Sequence, residues 1–426
     1  MMQRLHPELD TTEVALAILN DGLAVLRQEH SHAAEIIEAR FLQGLTVAQM
    51  VIAQRPVPQS ERRFYKQQAA AIERLADALI LADARCKREE EIQKHLVSLP
   101  LPTYDHLFGV NELVQQVCEI LATPNQHHIV SLKGIGGIGK TALADAVTRR
   151  LIQDGAQLAG VIWISAKQQF ITASGIVGDP TRRRVDEIFQ ELSQRLGIES
   201  FAQLSRSQKI GQLARVLRTS PYLVVIDNLE TVADFHQLQP WLNALAGPTK
   251  FLLTNREAMP SIENVLTVEL NELNQDGALG LIGYTAKRKN VPDVDPRKVY
   301  ALTGGNPLAI VLLISVMTVL SPRQVLEGME RGSLSDIYTY VYWQAWSVLP
   351  DSAKEILFAI QRAGDSAAAA WLSMLHEDEE EVLFAALAAL QNLSLIQVQQ
   401  HMEGQRIYTI HRLTSTFLHT QVLGWK

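Results

Sequence analysis

The sequence predicts a multidomain α/β chain in which a parallel sheet with helices on both faces lies between an all-α region and two smaller units. Three observations carry this. Short, continuously apolar runs alternate with helix-forming runs through the middle of the chain, as parallel strands buried on both faces do. A glycine-rich stretch follows the first of these runs and opens a helix. At 426 residues the chain is longer than one hydrophobic core fills, so three or four domains are expected.

The glycine-rich stretch reads Gly134-Ile-Gly-Gly-Ile-Gly-Lys-Thr141 and fits G-x-x-x-x-G-K-[ST], the phosphate-binding P-loop. The apolar run Ile129 to Leu132 precedes it and the helix former Ala142 begins the run after it. Gly134, Gly136, Gly137 and Gly139 let the backbone turn with positive φ and approach a phosphate closely. The amides from there through Ile138 to Ala142 converge on an anion at the positive end of the helix. Lys140 is expected to reach the outer phosphates and the Thr141 hydroxyl to ligate Mg2+. The sheet is therefore expected to be a P-loop NTPase sheet. Tyr222-Leu-Val-Val-Ile-Asp-Asn228 is a buried strand ending in an acid, the Walker B position, where Asp227 would hold magnesium through water. Asn228 follows it, and an amide cannot take a proton from water. Glu230 is the nearest spare acid and reads as a surface or capping residue. Arg256, after the strand Thr249 to Asn255, is placed to touch a γ-phosphate. Lys140, Asp227 and Arg256 are the catalytic candidates.

Composition narrows the rest. Apolar residues are 47% and charged residues 20%, ordinary for a globular protein. The net charge of -7 argues against a general nucleic-acid coat but leaves a local basic face open. Cys86 and Cys118 are far apart and form no C-x-x-C pair, which suggests neither zinc nor a disulfide framework and fits a cytoplasmic location. The apolar run Pro307 to Leu320 is too short for a membrane span and reads as a buried helix.

Along the chain, residues 1–98 read as an all-α region. Helices are expected from Asp10 to about Glu29, over Ala33 to Leu42, from Thr46 to the prolines Pro56 and Pro58, and from Ser60 to about Arg88. Helix, glycine turn, short helix, loop and longer helix is the layout of a helix-turn-helix unit. On that reading Arg62, Arg63, Lys66 and Gln67 face DNA bases and phosphates. The alternative is a helical bundle for packing or self-association, and acidic residues slightly outnumber basic ones here. Leu99-Pro-Leu-Pro-Thr-Tyr104 reads as a linker and Lys167 to Arg184 as a long polar loop. Residues 99–272 form the P-loop domain and 273–345 a small helical domain. Residues 346–426 read as a winged helix: three helices, a hairpin pairing Leu395–Gln399 with Ile407–Ile410, and a terminal helix.

The P-loop, Tyr222 to Glu230, Lys250-Phe-Leu-Leu-Thr-Asn-Arg256, Gly304-Gly-Asn-Pro-Leu-Ala309 and Tyr408-Thr-Ile-His-Arg412 stand in an order that resembles the NB-ARC family of STAND-class signal-transduction ATPases. The resemblance covers about Leu99 to Lys426. It implies that nucleotide, helical and winged-helix domains close over ADP. It implies that Pro307 packs near adenine, that Val110 and Asn111 line the adenine pocket, and that His411 holds the β-phosphate. Two departures bear on activity: Asn228 stands where many members have an acid, and Arg412 stands where the family has Asp. The resemblance thus implies a switch that binds ATP and ADP with Mg2+, hydrolyses slowly and self-assembles in the ATP state. Output is expected through the N-terminal domain, either as an ATP-gated DNA-binding transcription regulator or as an assembly scaffold in host defence with no DNA contact. The family usually carries C-terminal sensor repeats; either the chain is truncated before them or sensing comes from elsewhere. No membrane partner is expected.

Overall fold

The computed structural model describes residues 11–52, 61–166, 185–199, 201–229, 232–255, 264–327, 334–375, 380–400 and 406–422. Ser60, the loop 167–184, Glu230 and Arg256 lie outside these residues. The described chain divides into two units, Met1–Lys94 and His95–Lys426.

The first unit is helical: α1 (Thr11–Glu29), α2 (Ser31–Ile37), α3 (Val47–Ile52) and α4 (Glu61–Val97). Thr46 starts α3 through a reciprocal cap, its backbone N–H donating to the Gln49 side chain and its hydroxyl accepting from Gln49 N–H. Phe64, Ala71, Leu75 and Ala78 form one stripe of α4 and pack with Leu23, Leu26, Ile37 and Met50. That burial of apolar surface holds the unit together. Helix α4 runs past the expected end near Arg88 to Val97. Arg85 to Lys94 contains no glycine or proline and is rich in strong helix formers, so nothing in it stops the helix.

In the second unit, α5 (Asn111–Ala122) leads into β1 (Ile129–Lys133), and the P-loop joins β1 to α6 (Lys140–Gln153). The chain continues through β2 (Gly160–Ser165), α7 (Val185–Arg195), α8 (Arg206–Leu217), β3 (Tyr222–Leu229), α9 (Val232–Leu245), β4 (Lys250–Asn255) and β5 (Val265–Glu269). The five strands are parallel in the order β2-β3-β4-β1-β5. Strand β4 thus lies between the P-loop strand β1 and β3, the strand that carries Asp227. Every residue of β4 is buried, and its centre, Phe251-Leu252-Leu253, is apolar, as in strands covered on both faces. One face packs Phe189, Leu192, Leu213, Trp241 and Leu242 from α7, α8 and α9 against Ile129, Ile164, Val224 and Phe251. Helix α6 packs against β1, β3 and β4.

Then come α10 (Gln275–Arg288), α11 (Pro296–Thr303), α12 (Pro307–Val316), α13 (Pro322–Glu327) and α14 (Leu334–Val348). Asn274, Asp295 and Asn306 cap α10, α11 and α12 through their side chains. The last elements are α15 (Asp351–Arg362), β6 (Ser366–Ala368), α16 (Ala369–Leu375), α17 (Glu380–Asn392), β7 (Ile396–Gln400), β8 (Arg406–Ile410) and α18 (Arg412–Phe417). They form an antiparallel sheet in the order β6-β8-β7. The expected hairpin is present, and β6 adds a third strand that the sequence reading did not include. One apolar cluster runs without a break from Leu273 to Leu418, so these helices and the small sheet share a core. No described helix is long and apolar enough to cross a membrane.

Candidate functional site

The site lies at the carboxyl ends of β1, β3 and β4, where open parallel sheets bind ligands. The P-loop turns through left-handed conformations at Gly137 (φ 76°) and Gly139 (φ 100°), where a side chain would be strained. Gly139 is also the N-cap of α6, so the loop delivers its amides to that helix end. Lys140 Nζ donates to the Gly134 and Ile135 carbonyls at 2.7 and 2.9 Å, which holds the ammonium over the loop. Gly134 packs tightly: a Cβ there would lie 2.9 Å from both Ile138 Cγ2 and the Leu270 carbonyl.

Asp227 is 3% exposed. Its carboxylate accepts from Thr254 Oγ1 at 2.6 Å, Thr141 Oγ1 at 2.9 Å and Asn228 Nδ2 at 3.0 Å. Burial pushes its carboxyl above the usual range, while the hydrogen bonds from Thr254 and Thr141 and the Lys140 charge pull the other way. Thr141 and Asp227 therefore meet, as a shared magnesium site requires, and the carboxylate has a charge that a cation would neutralise. Asn228 adopts φ 66° where the β3–β4 register slips, and its backbone N–H donates to Thr254 Oγ1 at 2.8 Å. Its side chain braces Asp227 and supplies no base.

The helical part of the unit reaches this loop. Leu308 N–H donates to the Gly137 carbonyl at 3.3 Å. Pro307, at the first turn of α12, is half-buried beside it. Val110 is the N-cap of α5 and packs against the helical core, while Asn111 is exposed. Gly109 Cα and Gly277 come so close that a Cβ on Gly277 would lie 2.9 Å from Gly109 Cα. His411 is the N-cap of α18, with Nδ1 accepting from Leu413 N–H at 3.2 Å. That bond puts the proton of the neutral ring on Nε2, making that edge a donor. In the first unit Arg62, Arg63 and Lys66 are exposed, and Gln67 is half-buried with a buried Oε1 that has no partner.

Sequence reasoning missed several residues here. Thr254 links Asp227 to Asn228, and its only local signal was its place near the end of a buried strand. Asn306 is fully buried and caps α12, with Nδ2 unpartnered. Tyr338 in α14 donates to Asn306 Oδ1 at 2.8 Å, and no motif marks it. On the other side of α6, Asp145 accepts from the Tyr104 hydroxyl at 2.8 Å and pairs with Arg149, which donates to the Pro100 carbonyl at 2.6 Å. The linker 100–104 is thereby fastened to the P-loop helix.

The sheet order, the glycine loop on β1 and the buried acid on β3 define a P-loop NTPase-like fold. Residues 110–291 match the family model of the NB-ARC domain. Arabidopsis thaliana proteins similar to this chain include two disease resistance proteins. Disease resistance RPP8-like protein 3 is 25% identical over 245 residues, 55% of this chain and 26% of that protein. Disease resistance protein RPH8A is 29% identical over 173 residues, 40% of this chain and 17% of that protein. The chain thus spans about a quarter or less of the length of these relatives. Among solved structures, a signal transduction ATPase with numerous domains (STAND) protein with a tetratricopeptide repeat sensor from Pyrococcus horikoshii is 18% identical, with a TM-score of 0.48 over 72% of this chain and 42% of that one.

Proposed function

We propose that the chain is an ADP/ATP-dependent switch of the STAND class. The observation that supports this best is the contact of the P-loop with the helical unit, Leu308 on Gly137. Phosphates bound in the loop and contacts from α12 would share the same few residues, so the nucleotide can favour one arrangement of the two parts over another. Gly134, Gly136, Gly137, Ile138, Gly139, Lys140, Thr141 and Ala142 form the phosphate cradle. Thr141 and Asp227 hold Mg2+, which when bound neutralises phosphate charge. Val110, Asn111 and Pro307 border the base, and His411 donates from Nε2 to the ADP β-phosphate. Arg256 contacts the γ-phosphate of ATP. With Asn228 in place of a base, hydrolysis is slow and serves as reset. Residues 99–272, 273–345 and 346–426 act as nucleotide, small helical and winged-helix domains, and 1–98 as the output domain.

ADP keeps the three domains together, and ATP releases the winged helix for self-assembly. Size-exclusion chromatography with light scattering tests this. A monomer with ADP and a larger assembly with ATP and magnesium support the reading. The same mass in both states contradicts it.

Two outputs remain in competition. The exposed Arg62, Arg63 and Lys66 favour an ATP-gated DNA reader. Similarity to disease resistance proteins favours an assembly scaffold in host defence with no DNA contact.

A further inference from the structure

A line of contacts leads from the P-loop to the last helix. At Gly137, a Cβ would lie 2.7 Å from Leu308 Cβ and 3.2 Å from the Tyr338 hydroxyl oxygen. The loop backbone therefore touches both α12 and α14, and any movement of the loop at this point meets Leu308 and Tyr338. The Tyr338 hydroxyl is in turn tied to Asn306 Oδ1, which also accepts from Ala309 N–H. One turn further along α14, Tyr342 stacks on Tyr338 with centroids 6.4 Å apart. The spacing of four residues puts both rings on one face of the helix. Tyr342 also stacks on Phe417 at 5.2 Å, and its hydroxyl accepts from Thr414 Oγ1 at 3.1 Å. Tyr342, Thr414 and Phe417 are all buried. Thr414 and Phe417 stand three residues apart on α18, the helix that His411 caps.

We propose that Tyr338 is a positioning residue that couples the P-loop to α18, through Asn306 on one side and the Tyr342–Phe417–Thr414 cluster on the other. Its contacts stand on their own geometry, while its consequence for ADP rests on the switch reading above. The relay gives α18 a second link to the nucleotide site, besides the histidine at its start. Buried hydroxyl pairs suit this role because they have few alternative partners. Tilting α14 to follow the loop breaks the Tyr342–Thr414 bond rather than exchanging it for water.

Two measurements on the full chain test the relay. The first is release of the fluorescent analogue N-methylanthraniloyl-ADP in a chase with unlabelled ADP. Tyr338→Phe removes only the hydroxyl, and release is expected to quicken about three- to tenfold, the worth of one buried hydrogen bond. Trp346→Phe lies on the same helix but packs on Phe358, outside the relay, and is expected to leave release unchanged. A packing role alone would change the two variants alike. The second measurement is amide hydrogen exchange over residues 412–417 in the nucleotide-free chain, where Tyr338→Phe is expected to raise exchange. Wild-type exchange over these residues in Tyr338→Phe overturns the relay, however tightly ADP binds. Failure of the wild-type chain to bind ADP refutes the switch reading, and the exchange result still decides the relay.

Discussion

Replacing Thr254 by Val tests whether the acid site is built as described. The side chain keeps its shape but loses the hydroxyl, which has two partners: it donates to Asp227 Oδ1 at 2.6 Å and accepts from Asn228 N–H at 2.8 Å. A hydrogen bond to a charged group is worth about 1.5–3 kcal/mol, and a buried donor left without a partner costs about 1–3 kcal/mol. Asn228 itself is exposed, so water recovers part of the second cost and the expected loss is roughly 2–4 kcal/mol. Thr254→Ser restores both bonds and should recover most of it. The assay is urea denaturation of the nucleotide-free chain followed by tryptophan fluorescence, since Trp163 and Trp241 lie in this domain. Magnesium-dependent nucleotide affinity should fall in parallel, because Asp227 loses its shortest hydrogen bond. A Thr254→Val chain within about 0.5 kcal/mol of wild type, the scatter of ordinary surface changes, would refute the reasoning.

Asp227→Asn should make the nucleotide-free chain more stable near neutral pH while weakening magnesium binding. Burial raises the carboxyl above its ordinary value of 3.8, so in the pH window just above that value the folded state still holds a proton that the unfolded state has released. Wild-type stability from this group is present below pH 3.8 and falls as pH rises towards the folded value, and the variant should lack that fall; equal pH profiles in denaturation would contradict it. If the chain hydrolyses ATP slowly, as proposed, Asn228→Asp should raise the turnover by supplying an acid beside Asp227, as measured by phosphate release; a rapid wild-type ATPase would show that the base lies elsewhere. For the output, titrating duplex DNA at several salt concentrations compares the full chain with an Arg62/Arg63/Lys66 triple-alanine variant. A DNA reader loses about one unit of salt slope per phosphate contact removed, whereas equally negligible binding by both chains, with ATP present, leaves the scaffold.

The P-loop, the acid strand and the motif after α11 were legible because their signals are local. A buried parallel strand writes itself as an apolar run, and Gly304 and Gly305 before Asn306-Pro307 announce a turn, a cap and a helix start in adjacent residues. Strand β6 was not legible. Ser366-Ala-Ala-Ala-Ala370 has the composition of a helix, and its first three residues become strand only by pairing with Ile407, Tyr408 and Thr409. Helix α14 was hidden for the opposite reason: Tyr338-Thr-Tyr-Val-Tyr-Trp343 favours strand locally, yet Val341, Tyr342 and Ala345 are buried in the core as one helical stripe. The partners of Tyr338 and Thr254 depend on residues distant in sequence meeting at the end of the sheet, which no local pattern encodes.

On the switch reading, the loop from Gly134 to Thr141 holds an adenine nucleotide that governs the chain. That claim is tested most directly by denaturing the purified protein and identifying the released nucleotide by chromatography. Wild type is expected to release close to one ADP per chain, and Lys140→Ala none, because the lysine is the main charge neutralising the phosphates. A wild-type chain that carries no nucleotide and binds neither ADP nor ATP in titration calorimetry with magnesium would contradict the claim, as would undiminished affinity in Lys140→Ala.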